Sequence, residues 1–199
     1  MNARHWLALA ALSLTLAGCS SGPTIPVIST PLSLLTLTPE APMPSDTTRT
    51  ATAGQAVTIA LPVTAKELHT VRVPARVSAT EVAYVKDLQW VDTPDRLFQE
   101  LLAETVRRTT GRVVLDPQQA ALDPGVVVTG ELFQFGYDAA AQAVVIRFDG
   151  ALTTHGGAQV EIRRFEARVP ASDDAATVGP ALNQAANQVA LEAASWIGR

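Results

Sequence analysis

Cysteine occurs once in the 199 residues, at Cys19, so the chain can form no internal disulfide and its stability must come from packing. Histidine is nearly as scarce. His5, His69 and His155 stand far apart, without carboxylates at ligand spacing, and read as surface or turn residues rather than as metal ligands or a catalytic base. Lysine is confined to Lys66 and Lys86 and the arginines are scattered, so no basic stripe exists to track phosphates. With a net charge of −4 this excludes nucleic acid as a partner. Long apolar runs are also missing. The longest, Trp6 to Leu16, falls well short of the roughly 20 residues a spanning helix needs.

That short run follows a positively charged start, Met1-Asn2-Ala3-Arg4-His5, and precedes Leu16-Ala17-Gly18-Cys19. Charge, short apolar stretch and small residues in that order describe a removable signal peptide. A cysteine directly after the small residues makes the box a lipobox: Leu16, Ala17 and Gly18 are the recognition residues for lipoprotein signal peptidase, and Cys19 is the lipidation site. Its thiol takes a diacylglyceryl group, and its freed amine can take a third chain. One chain binds a membrane marginally, at ~0.8 kcal/mol per buried CH₂, whereas two or more hold stably. Ser20 follows the cysteine, where Asp would retain a lipoprotein at the inner membrane, so the expected destination is the periplasmic face of the outer membrane.

Cleavage leaves 199 − 18 = 181 residues, enough for one domain with a real core, and a net charge of −4 − 1 = −5 once Arg4 is removed. The expected organisation is a signal peptide over 1–18, the lipidated cysteine and a flexible Ser/Gly/Pro/Thr-rich tether over 19–31, and a periplasmic domain over 32–199. Alternation predicts strands over Leu32–Leu37, Gln55–Leu61 and Val71–Val77, where Pro74 signals an edge or a bulge. Glu81–Val85 extends the sheet. Thr93-Pro94-Asp95 opens a helix, with Thr93 as N-cap and Gly111 as its left-handed stop. Further strands follow at Arg112–Leu115, Val126–Tyr137, Ala143–Thr154 and Gln159–Val169, the last three forming an antiparallel meander. A closing helix spans about Pro180 to Ile197. About seven strands and two helices define a single α+β domain: a mostly antiparallel or mixed β-sheet with two packed helices.

An enzyme needs a nucleophile with its base, paired carboxylates or clustered ligands, and the pattern offers none, so no catalytic residue, metal or cofactor is expected. Ser172-Asp173-Asp174 lacks the glycine and the distal Glu of a calcium loop and reads as a solvated turn. Arg163 and Arg164, adjacent on a strand, point to opposite faces. Trp90 and Trp196 fit either a core or an interface. The closing helix says more. Opposite its apolar stripe stand Asn183, Gln184, Asn187 and Gln188 rather than the charges of a solvated face, which, with Trp196, marks a candidate protein interface.

The stretches Val71-Arg72-Val73-Pro74 through Trp90-Val91-Asp92, Pro94 to Phe98, Gly130-Glu131-Leu132 with Phe135 to Asp138, and Arg163-Arg164-Phe165 with Ala181-Leu182-Asn183 resemble the ABC-type transport auxiliary lipoprotein family. An early Tyr-x-Leu strand typical of that family appears only as Leu32-Ser33-Leu34. The resemblance implies a lipoprotein component of an MCE-type, or paraquat-inducible-type, lipid transport system. It would be tethered to the membrane through Cys19, with an MCE-domain protein and its ABC transporter as partners and a second copy of the chain as a further candidate. A competing hypothesis is a lipoprotein that itself binds a lipid or apolar solute between sheet and helices, for which a large pocket would speak.

Overall fold

Three long segments rich in alternating apolar residues become, in the computed structural model, the three longest strands, the alternation shifting at a bulge in one and changing face along another. The structure describes residues 33–45, 48–52, 54–118, 120 and 125–199. Among them are nine strands: β1 (Leu34–Leu35), β2 (Val57–Ile59), β3 (Val63–Thr64), β4 (Arg72–Arg76), β5 (Val82–Trp90), β6 (Val114–Leu115), β7 (Val126–Asp138), β8 (Ala143–Thr154) and β9 (Gln159–Pro170). Helices α1 (Pro94–Thr110) and α2 (Ala175–Ile197) complete the α+β domain.

The strands form one mixed sheet organised by β7. Along one edge β7 pairs antiparallel with β8, and β8 with β9, which is the expected meander. Along its other edge β7 meets β2, β3 and β4 in succession, all parallel. β5 pairs antiparallel with β4, and β1 lies parallel to β5. Pro74 marks a register shift in β4, the bulge its missing N–H predicts; β4 is not an edge strand, since β5 and β7 flank it. Gly136 lets the two strands approach there: a Cβ on it would collide with the Pro74 carbonyl.

Both helices cover one face of the sheet. Val144, Ile146 and Phe148 of β8 and Phe165, Ala167 and Val169 of β9 point into that layer and are buried. Six rings link every layer of the core: Trp90 to Phe135 (5.6 Å between centroids), Phe135 to Phe98 (6.3 Å), Phe98 to Phe148 (5.2 Å), Phe148 to Phe165 (6.3 Å) and Phe165 to Trp196 (5.4 Å). Such pairs add about 0.5–1.5 kcal/mol each beyond their burial. The opposite face is finished with ion pairs, Arg147–Glu166, Arg168–Glu166 and Arg164–Asp149, beside exposed Val63, Phe133, Val160 and Ile162. Arg164 thus lies on this face, while Arg163 sits against Phe165 on the other, as neighbours on a strand must.

Helix starts differ in detail from the expectation. Thr93 is the N-cap of α1, but its hydroxyl makes no capping bond; instead its N–H donates to the Asp92 carboxylate (2.7 Å). α1 ends on Gly111 at φ 70°, the left-handed stop. α2 begins at Ala175, earlier than Pro180, because Asp174 accepts from the Thr177 N–H (2.9 Å) and caps a turn that a reading based on proline placement overlooks. Pro180 therefore lies inside the helix, near its start.

Candidate functional site

The closing helix and the segment that crosses it form the most specific polar arrangement among the described residues. Alanine and glycine at Gly179, Ala181, Ala185, Ala186, Ala190, Ala193 and Ala194 bring α2 close to the sheet and to α1, and all are buried. Small side chains permit that approach, which leaves two polar positions one turn apart, Asn183 and Asn187, turned toward residues 33–45. Leu35 and Leu37 lie half-buried on the core, and Leu35 rests on Gly179, where an added Cβ would stand 3.2 Å from its Cδ2. The Leu35 carbonyl accepts from the Val91 N–H (2.8 Å).

Beyond Leu37 the segment has no strand beside it, and α2 takes over. The Thr38 N–H donates to Asn183 Oδ1 (2.8 Å), Asn187 Nδ2 donates to the Thr38 carbonyl (2.9 Å), and the Glu40 N–H donates to Asn187 Oδ1 (2.8 Å). Asn183 Nδ2 reaches the Glu40 carboxylate (3.2 Å). From α1, Arg108 Nη1 donates to the Ala41 carbonyl (2.9 Å) while its Nε is held by Glu104 (2.7 Å). The Arg108 hydrogen bond, ahead of the Arg107 contact, holds the Glu104 carboxyl below its ordinary value despite partial burial.

The five residues expected at an interface thus have separate placements. Trp196 is buried in the aromatic chain, and its Nε1 donates to Glu161 (2.7 Å). Asn187 is buried and, with Asn183, holds the chain's own residues 38–40. Gln184 and Gln188 remain exposed, so the five do not share one open surface. The chain's own residues 38–40 cover the Asn183 and Asn187 part of this face, while Gln184 and Gln188 stay open. No sequence pattern singled out Thr38–Glu40 or Arg108 as partners of that face. The prolines at 39, 42 and 44 were the available signal, because they forbid a regular strand.

Leu16, Ala17, Gly18 and Cys19 lie outside the described residues. Among those described, no group of three or more His, Asp or Glu side chains is placed to hold a metal, and no helix is long and apolar enough to cross a membrane. His69 and His155 are both exposed. Six buried aromatic rings pack in the layer between sheet and helices, where the competing hypothesis puts an apolar solute.

The described residues thus form an α+β domain with two helices on one face of a mixed sheet. The family model for the ABC-type transport auxiliary lipoprotein component matches residues 35–194, and the chain belongs to that family. Its fold is shared with protein XCC0632 from Xanthomonas campestris, of the family named DUF330, at 20% identity and a TM-score of 0.63, with 81% of this chain and 90% of that one covered. A crystal structure of an uncharacterized protein aligns at 15% identity and a TM-score of 0.57, covering 84% of this chain and 98% of its own. No curated protein sequence matches the chain.

Proposed function

We propose that this lipoprotein is the non-enzymatic, membrane-anchored subunit of an MCE-type ABC transport system, docking the periplasmic channel at the outer membrane while lipids pass between membranes. The family match over residues 35–194 carries the reading, joined to the Leu16-Ala17-Gly18-Cys19 box ahead of it. Residues 1–18 are removed, Cys19 is acylated, residues 19–31 form the tether and residues 32–199 the periplasmic domain. Between Cys19 and Ser33 lie 33 − 19 − 1 = 13 residues. Fully extended they span at most about 45 Å, at ~3.3–3.6 Å per residue, so the domain works close to the membrane.

An anchored adaptor needs a surface and a fixed attachment, not a reacting group. The described charges fit that economy, since Glu104, Asp149 and Glu166 are each engaged by arginines in the fold. Mild-detergent isolation of the tagged full chain from membranes, probed for the MCE-domain protein, tests the proposal. Co-isolation with the wild type and its loss with Cys19→Ala are the expected results. Wild-type chain recovered from the outer membrane without any MCE-domain protein would refute the docking role.

A further inference from the structure

Residues 37–42, Leu-Thr-Pro-Glu-Ala-Pro, cannot hold themselves in place. Pro39 and Pro42 have no N–H, so the segment cannot prolong the two-residue β1–β5 ladder as a regular strand. An extended chain without a neighbouring strand must find other partners for its backbone groups. Asn183 and Asn187 supply them, and their spacing explains how. Residues i and i+4 of a helix lie on one face, about 6 Å apart along the axis at ~1.5 Å per residue. Alternate residues of an extended chain repeat every ~6.6 Å and aim their N–H groups to the same side. The two periods match, so each amide oxygen meets one N–H, that of Thr38 at Asn183 and that of Glu40 at Asn187. The skipped residue is Pro39, the one that has no donor to satisfy. Proline also restricts Thr38 before it to extended conformations.

We propose that Asn183 and Asn187 form a binding site for extended polypeptide backbone, occupied by this chain's own residues 38–40, which holds the segment between β1 and Pro42 on α2 where no strand can pair with it. The ligand class is a single extended strand, recognised through main-chain N–H and C=O groups and not through its outward side chains. Thr38 and Glu40 are exposed, and only the Glu40 carboxylate adds a side-chain contact, at 3.2 Å. The latch stands whether or not Cys19 carries lipid.

Amide exchange in the purified full chain tests the site, read at Thr38 and Glu40 with Ile146 of the buried β8 strand as the reference. Asn183→Ala with Asn187→Ala should speed exchange at both strap amides about tenfold or more, the size of one lost net hydrogen bond, and leave Ile146 unchanged. Alanine favours helix, so α2 itself should persist. Thr38→Ala should keep the protection of Glu40, while Thr38→Pro, which removes the donor to Asn183, should reduce it. Unchanged protection in the double variant would overturn the latch. So would a matching loss at Ile146, which would make the asparagines general supports of the fold. Equal losses in Thr38→Ala and Thr38→Pro would overturn backbone recognition.

Discussion

Helices α1 and α2 lie side by side on the same face of one sheet, yet they finish their outer surfaces in opposite ways. α1 turns Glu104, Arg107 and Arg108 outward and pairs them at i,i+3 and i,i+4, the ordinary solution for a solvated helix. α2 has no such pairs among its described contacts. Apart from Glu192 and Ser195 near its end, the polar groups along the middle of α2 are amides, and two of these bond a strap from the other end of the chain. Part of this charge-poor face is covered and part is open, and the identity of the cover comes from the three-dimensional path of the chain. α1 takes part too, because Arg108 reaches past Glu104 to the strap at Ala41.

The largest effect should come from the buried side of α2. Trp196→Ala would remove the last ring of the aromatic chain and leave Glu161 without its indole donor, costing about 4 kcal/mol by the range for buried aromatic truncations. Urea unfolding of the soluble domain would measure it, and a cost below about 1 kcal/mol would put Trp196 outside the core. On the covered side, Asn187→Glu would withdraw the donor to Thr38 and set a carboxylate beside the Glu40 backbone, for about 2 kcal/mol. The loss should appear in a monomeric domain, as proteolysis between residues 33 and 45. If it appeared only when a partner was present, the face would be an intermolecular interface after all.

Arg108→Ala tests whether α1 contributes to the strap. It should cost about 1 kcal/mol and loosen Ala41 while leaving the β7–β8 ladder intact, by exchange measurements. Gln184→Glu, on the open part of α2, should fall within about 0.5 kcal/mol of wild type in the same unfolding assay. The smallest contrast is in pH. Glu104 has its carboxyl lowered in the fold by Arg108, so its contribution is present above the ordinary value of 4.5 and lost as pH falls through the lower folded value. The stability gap between wild type and Glu104→Gln should close in that acid range, whereas protection of Thr38, held by amides that do not titrate there, should persist.

Much of this architecture is legible in the sequence. Ala143–Thr154 and the left-handed stop at Gly111 are found where alternation and glycine chemistry place them, because each rests on a local pattern many residues long. The two-residue strands β1 and β6 fall inside the predicted Leu32–Leu37 and Arg112–Leu115 but are shorter, and β3 has no predicted counterpart, since so short a segment carries no period and is defined by its neighbours. The start of α2 depends on one bond from the Thr177 N–H to Asp174 that proline placement obscured. The strap is the clearest case: Asn183 and Thr38 are far apart in sequence, and nothing near either residue announces the other.

Everything proposed about function depends on attachment at Cys19. Labelling cells with radioactive palmitate, followed by separation of inner and outer membranes, addresses it directly. The account predicts label on the wild-type chain in the outer-membrane fraction and none on Cys19→Ala, which should appear soluble or unprocessed. Equal labelling of both chains, or wild-type chain recovered unlabelled from the soluble fraction, would contradict it.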